Sequence, residues 1–136
     1  MKILVAYDGS EHGRRALERG AALAREGGSL TVVAVAEGEP SLGARGPATA
    51  PVVMEAVERQ RALEEAKAFL AERGVEAGTV EAFGDAGHAI AEEAKQQGAD
   101  LVVVGTRGRN LVERMLLGSV STKVVHEAPC DVLVVR

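Results

Sequence analysis

The residues with the most chemistry in this 136-residue sequence are glycines and serines at fixed intervals. Gly105 and Gly108 are followed, after nine residues, by Gly118-Ser119, with Ser121 two positions further on. Glycine lets backbone come close to a ligand and accepts positive φ. A helix beginning near Ser119 would present N–H groups that no helical carbonyl accepts, at the positive end of the helix dipole. With the hydroxyls of Ser119 and Ser121 added, this is an anion site of the kind that holds phosphates. Thr122 and Lys123 fall in the same first turn. Asp8-Gly9-Ser10 is a second such place, either an ordinary turn with a helix cap or a ligand contact. Glycine is frequent, 16 of 136 residues, and serine at a helix start commonly only caps it. The joint placement therefore carries the reading, not any one residue. No GxxxxGKS/T pattern occurs and no GxGxxG follows the first apolar run, which removes the P-loop and the usual dinucleotide fingerprint.

Other reactive side chains are scattered. His12, His88 and His126 fall on different elements and lack the spacing of metal ligands. His12 lies near the mouth of the expected site, and His126 sits near a helix C-terminus, where a cation is favoured. The single cysteine, Cys130, follows Pro129 at a strand start and reads as a small packed side chain. Arg107 and Arg109 read as solvated loop charges, with Arg109 within reach of a phosphate. No Ser-His-Asp set and no general base emerge, so no catalytic residue is assigned.

These residues need a frame. Apolar runs at Ile3–Tyr7, Leu30–Ala36, Thr79–Phe83, Leu101–Val104 and Val132–Val135 read as strands, and the fully apolar ones suit a parallel sheet covered on both faces. Between them lie helical patterns. The first follows Ser10, carries Ala16, Leu17, Gly20 and Ala21, and stops at Gly27-Gly28. The second runs from about Val52 to Arg73, with Glu55, Arg59, Glu64 and Lys67 on its wet face. The third follows Asp85 as its cap and stops at Gly98. Leu111–Leu117 looks helical, and a further helix runs from near Ser119 to Glu127. Glu37–Pro51 is the one long loop and is expected to be the most mobile part. The order predicts a doubly wound α/β fold in one domain, residues 1–136, with helices on both faces of the sheet. Ligands of such sheets sit at the strands' carboxyl ends where strand order reverses, here between strands 1 and 4 if strand 1 is central.

Composition narrows the function classes. Sixteen basic against 20 acidic side chains leave a net charge of −4, which argues against nucleic acid as a partner. One cysteine allows no internal disulfide and fits a reducing compartment. The first apolar run is too short for a secretion signal, and no run approaches the ~20 residues of a membrane span. A cytoplasmic protein is expected.

Over nearly its whole length the sequence resembles the universal stress protein family. The resemblance rests on KILVAYDGSE, the AxxLA of the first helix, the GDAGHAI turn, ADLVVVGTRGR and LLGSVSTKVVHEAPCDVLVV. Its most specific element is G-x2-G-x9-G-S/T, the mark of the ATP-binding branch. The resemblance implies a five-stranded parallel sheet of order 3-2-1-4-5, like that of adenine nucleotide alpha hydrolases. It implies that Ala6, Tyr7 and Asp8 line the adenosine end and that Val35 and Val104 contact adenine. Gly105, Gly108, Gly118, Ser119, Val120 and Ser121 would surround ribose and phosphates, with Mg²⁺ or Mn²⁺ bridging the phosphates. Some ATP-binding members carry proline where Ala6 stands. It also implies a homodimer through strand 5, Val132, Leu133, Val134 and Val135, whose exposed edge invites pairing. Three functions follow: an ATP-binding regulatory or sensor protein in the stress response, a slow ATP hydrolase, or a nucleotide-free dimeric interaction module.

Overall fold

Three of the five strand runs are apolar and buried on both faces, which places them at the centre of one parallel sheet with the two more exposed runs at its edges. The computed structural model describes residues 1–36, 50–106 and 117–136, and the side chains of 56–72 in the second helix. The elements are β1 (Lys2–Ala6), α1 (Glu11–Arg25), β2 (Ser29–Ala36), α2 (Ala50–Glu72), β3 (Ala77–Phe83), α3 (Ala86–Gln97), β4 (Leu101–Gly105), α4 (Ser119–Glu127) and β5 (Asp131–Val135). Strand order is β3-β2-β1-β4-β5, as expected. Ile3 stands beside Leu30 of β2 and Leu101 of β4. Chain order therefore reverses between β1 and β4, at the centre of the sheet.

Alternation along the strands divides the core in two. Ile3, Val5, Val32 and Val103 pack with Ala16, Leu17 and Ala21 of α1 and with Ala62, Leu63, Ala66 and Leu70 of α2. Leu4, Val33, Val102 and Val104 pack on the other face with Ile90 and Ala94 of α3 and Val124 of α4. The small residues of α1 let it sit close. A Cβ at Gly20 would lie 2.6 Å from Val5 Cγ2.

Boundaries move little. β3 starts at Ala77 rather than Thr79, because Ala77 and Gly78 pair with Leu30 and Thr31. Arg59 is a correction. It does not stand on a wet face; it is 8% exposed, because α2 covers β3 there. Its Nη2 donates to Glu81 Oε2 at 3.0 Å, and the guanidinium stacks 4.2 Å from the centre of the Phe83 ring. The segments 37–49 and 107–116 lie outside the described residues, and with them most of the expected loop Glu37–Pro51, whose Ala50 and Pro51 open α2, and all but Leu117 of the helix expected at Leu111–Leu117. No helix among the described residues is long and apolar enough to cross a membrane.

Candidate functional site

Two chain exits meet at the carboxyl end of the sheet where strand order reverses. The first leaves β1. Tyr7 N donates to Val33 O at 3.0 Å, which carries the pairing one residue past the strand. The Tyr7 ring turns to the α1 and α2 side and is 4% exposed. Its hydroxyl donates to Glu65 Oε2 at 3.4 Å. Burial, then the Glu65 carboxylate, pushes the phenol above its ordinary range. Its side chain therefore belongs to the core. Asp8 Oδ1 accepts Ser10 N–H at 2.9 Å, and Gly9 takes φ +85°. Ser10 Oγ then caps α1 by accepting Gly13 N–H at 3.0 Å. Asp8 is a turn residue that also stands half-buried at the rim.

The second exit leaves β4. Gly105 presses on α1, since a Cβ there would sit 2.8 Å from the main-chain carbon of His12. Thr106 follows, 6% exposed. Its N–H donates to Val135 O at 2.8 Å, and its carbonyl accepts Gly118 N–H at 2.6 Å. Thr106 Oγ1 and His12 Nδ1 share a hydrogen bond of 3.2 Å. Thr106 thus joins β4, β5, α1 and α4. Counting glycines passes over it because it occupies a free position of the motif. His12 is found here as a partner of Thr106.

Helix α4 begins at Ser119 as expected. Gly118 is its N-cap, with φ −71° and ψ 166°, and no side chain among the described residues caps it. The first helical bond is Thr122 N–H to Gly118 O at 3.1 Å. Ser119, Val120 and Ser121 therefore have no carbonyl within the helix for their N–H groups. Ser119 is exposed and Val120 half-buried. Ser121 is different: its side chain is 2% exposed, and Oγ donates inward to Thr106 O and Gly118 O, 3.1 Å from each. The hydroxyl offered to an anion site is thus bonded within the protein. Thr122 Oγ1 likewise donates to Gly118 O at 2.9 Å. Lys123 points to α3, where Nζ lies 2.9 Å from Asp85 Oδ2.

The apolar candidates fall on the α3 and α4 face of the sheet. Ala6, Val35 and Val120 are half-buried against that core cluster. Val104 is 2% exposed, so its side chain serves the core and only its backbone remains for a ligand. Gly108 and Arg109 lie outside the described residues. Among the described residues no three His, Cys, Asp or Glu side chains group to hold a metal. His88 and His126 are exposed on other parts of the surface. Cys130 is half-buried, and burial raises its thiol pKa. A broad groove of about 780 Å³ lies at the opposite end of the sheet, between Ser29 and Thr31 of β2, Lys67 of α2 and Gly74–Gly78. It brings no reactive set together.

Comparison with known proteins agrees with this fold. The model of the universal stress protein family matches residues 1–136. A universal stress protein of Bacillus subtilis is 37% identical over 147 aligned positions, covering 99% of this chain and 98% of that protein. The solved universal stress protein UspA of Lactobacillus plantarum superposes with a TM-score of 0.83 at 30% identity, covering 100% of this chain and 97% of its own. A universal stress protein solved in complex with cAMP superposes with a TM-score of 0.79 at 26% identity, covering 100% and 97%.

Proposed function

The chain belongs to the universal stress protein family, and from that premise we propose that it is an ATP-binding regulatory protein whose nucleotide occupancy alters a surface read by a partner. The observation that carries the reading is the uncapped start of α4 beside the β1/β4 crossover. Three backbone N–H groups at a positive helix end suit a phosphate chain. Ala6 and Val35 supply a half-buried apolar floor of the kind an adenine ring uses. The relative solved with cAMP supports an adenine nucleotide. The spacing Gly105, Gly108, Gly118, Ser119 favours a phosphate tail, with Gly108 and Arg109 carried on the motif alone.

In this reading the Ser119 and Val120 N–H groups and the Ser119 hydroxyl hold phosphate oxygens. A divalent cation, Mg²⁺ or Mn²⁺, neutralises the tail when bound, and its remaining ligands are water and phosphate. The protein holds nucleotide and is not a dedicated hydrolase. It works in the cytoplasm as a homodimer joined along β5, where Val132, Leu133 and Val134 are half-buried at the sheet edge.

Titration calorimetry with ATP, ADP and AMP, each with and without Mg²⁺, tests the binding. Heat with ATP that is lost in Gly118→Val supports it; no heat and no melting shift at millimolar ATP would sink it. Phosphate release over hours at the rate of the Gly118→Val variant supports holding over cleavage. Light scattering at micromolar concentration tests the dimer.

A further inference from the structure

Ser121 stands in the first turn of α4, yet its hydroxyl is turned inward. One proton is shared between Thr106 O and Gly118 O, 3.1 Å from each. Thr106 O also accepts Gly118 N–H at 2.6 Å. That carbonyl belongs to a residue fixed on two further sides. Its N–H is bonded to Val135 O at 2.8 Å. Its hydroxyl is bonded to His12 at 3.2 Å. Gly105 before it lies so close to α1 that a Cβ there would stand 2.8 Å from the His12 carbonyl carbon. The first turn of α4 therefore hangs from an anchored carbonyl.

We propose that Ser121 and Thr106 are positioning residues: together they fix the start of α4 so that the Ser119 and Val120 N–H groups are aimed before any anion arrives, and the Ser121 hydroxyl does not touch the ligand. The proposal rests on the nucleotide reading above. Its physical basis is twofold. A serine hydroxyl has one proton to donate, and here that proton is used internally. Donors held in place beforehand save the ordering cost of binding.

The test compares wild type, Ser121→Ala and Ser121→Thr. Amide exchange is followed by NMR on the nucleotide-free protein, and binding by calorimetry against Mg²⁺-ATP and Mg²⁺-ADP. Loss of one hydrogen bond in Ser121→Ala is expected to speed exchange of the Gly118 amide about fivefold and to weaken both nucleotides by a similar factor. Ser121→Thr, which returns a hydroxyl, restores both. Should the extra methyl not fit, Thr106→Val is the second variant; it keeps the carbonyl, loses the His12 bond and should speed the same amide. Weaker nucleotide binding by Ser121→Ala with unchanged exchange in the free protein would mean that the hydroxyl touches the ligand, and would overturn the proposal. Unchanged exchange in Ser121→Ala and Thr106→Val overturns it whatever the binding does. If wild type gives no heat with any nucleotide, the nucleotide reading fails, and the exchange measurement alone decides whether the latch exists.

Discussion

Helices α3 and α4 pack against each other, the start of α3 lying beside Lys123 of α4, and the two starts are built in opposite ways. The start of α3 is closed. Asp85 accepts His88 N–H at 3.1 Å, and its carboxylate pairs with Lys123 at 2.9 Å. The start of α4 has glycine at the same position, in the same extended conformation, with no side-chain cap among the described residues. The start of α1 is closed too, by Ser10. A carboxylate or hydroxyl at an N-cap uses up the donors that a helix start must satisfy. Leaving them without a side chain costs stability, and the spaced motif Gly105, Gly108, Gly118, Ser119 ends on the helix that does so. Even Lys123, the cation of α4's first turn, is committed to the closed start of its neighbour.

The most direct way to break this difference is to close α4. In Gly118→Asp the aspartate meets a backbone at φ −71° and ψ 166°, close to the −76° and 163° at which Ser10 already caps α1. The new carboxylate occupies the donors and repels phosphate. ATP affinity measured by calorimetry should fall by at least about 100-fold, or about 2.7 kcal/mol. The unfolding free energy should rise by only a few tenths of a kcal/mol, the usual margin between aspartate and glycine at an N-cap. Unchanged ATP affinity would show that the α4 start does not hold the phosphates.

A second substitution presses on the contact between the two helices. Gly87 of α3 faces Lys123 of α4, and a Cβ there would lie 2.6 Å from Lys123 Cβ. That atom is not the flexible end of the side chain and cannot simply swing away. Gly87→Ala should cost about 1–3 kcal/mol in urea unfolding, as overpacking does. Nucleotide binding should weaken as well, since α4 is pushed while Thr106 still holds its first turn. A loss of stability with full affinity would mean that the start of α4 is set independently of α3.

How far all this was legible in the sequence depends on the range of the contacts. The strands were readable because Ile3–Val5 and Val102–Val104 are unbroken apolar runs, and the caps Ser10 and Asp85 because each bonds a residue only three positions on. Helix periodicity sets Arg59 on the wet face because its partner Glu81 is 22 residues away on another element. Thr106 gives no local signal for the same reason: its partner His12 is 94 residues distant. The sequence offers the Ser121 hydroxyl to an anion site because it shows the residue's place in the first turn of a helix but not the Thr106 carbonyl, 15 residues away, that takes the hydroxyl. The contacts that fix the start of α4 are tertiary.

Smaller effects sharpen the closed side of the comparison. Asp85→Ala removes both cap and ion pair and should lower the melting temperature by a few degrees at pH 7, while Asp85→Asn keeps most of the cap. The Lys123 hydrogen bond, then the His88 N–H, holds the Asp85 carboxyl below its ordinary range. Its charge therefore stabilises the fold above the unfolded carboxyl's pKa of about 3.9. That contribution fades as pH falls through the lower folded value. The same pair raises Lys123, so at the other end it fades above about pH 10.4. Melting curves of wild type and Asp85→Ala should differ by a constant amount between these limits and draw together beyond them. A gap unchanged at pH 2 would show that the carboxylate's charge has no part in closing α3.

The smallest effect belongs to Tyr7, on the closed start of α1. Its ring packs against Gly13, where a Cβ would lie 3.1 Å from Tyr7 Cδ2, and its hydroxyl is directed at Glu65. Burial first, then Glu65, raises the phenol pKa. A raised folded value means that the neutral phenol's contribution is complete below the unfolded pKa of about 10 and is lost as pH climbs through the folded value. Tyr7→Phe should therefore change little at pH 7, where it removes a long hydrogen bond to Glu65 and a contact with Arg14, and should flatten the loss of stability in alkali. Because the side chain faces α1 and α2 rather than α4, ATP affinity should stay within about twofold of wild type, less than one hydrogen bond's worth. A tenfold loss of affinity in Tyr7→Phe would instead place the phenol in the site and erase the distinction between a closed α1 and an open α4.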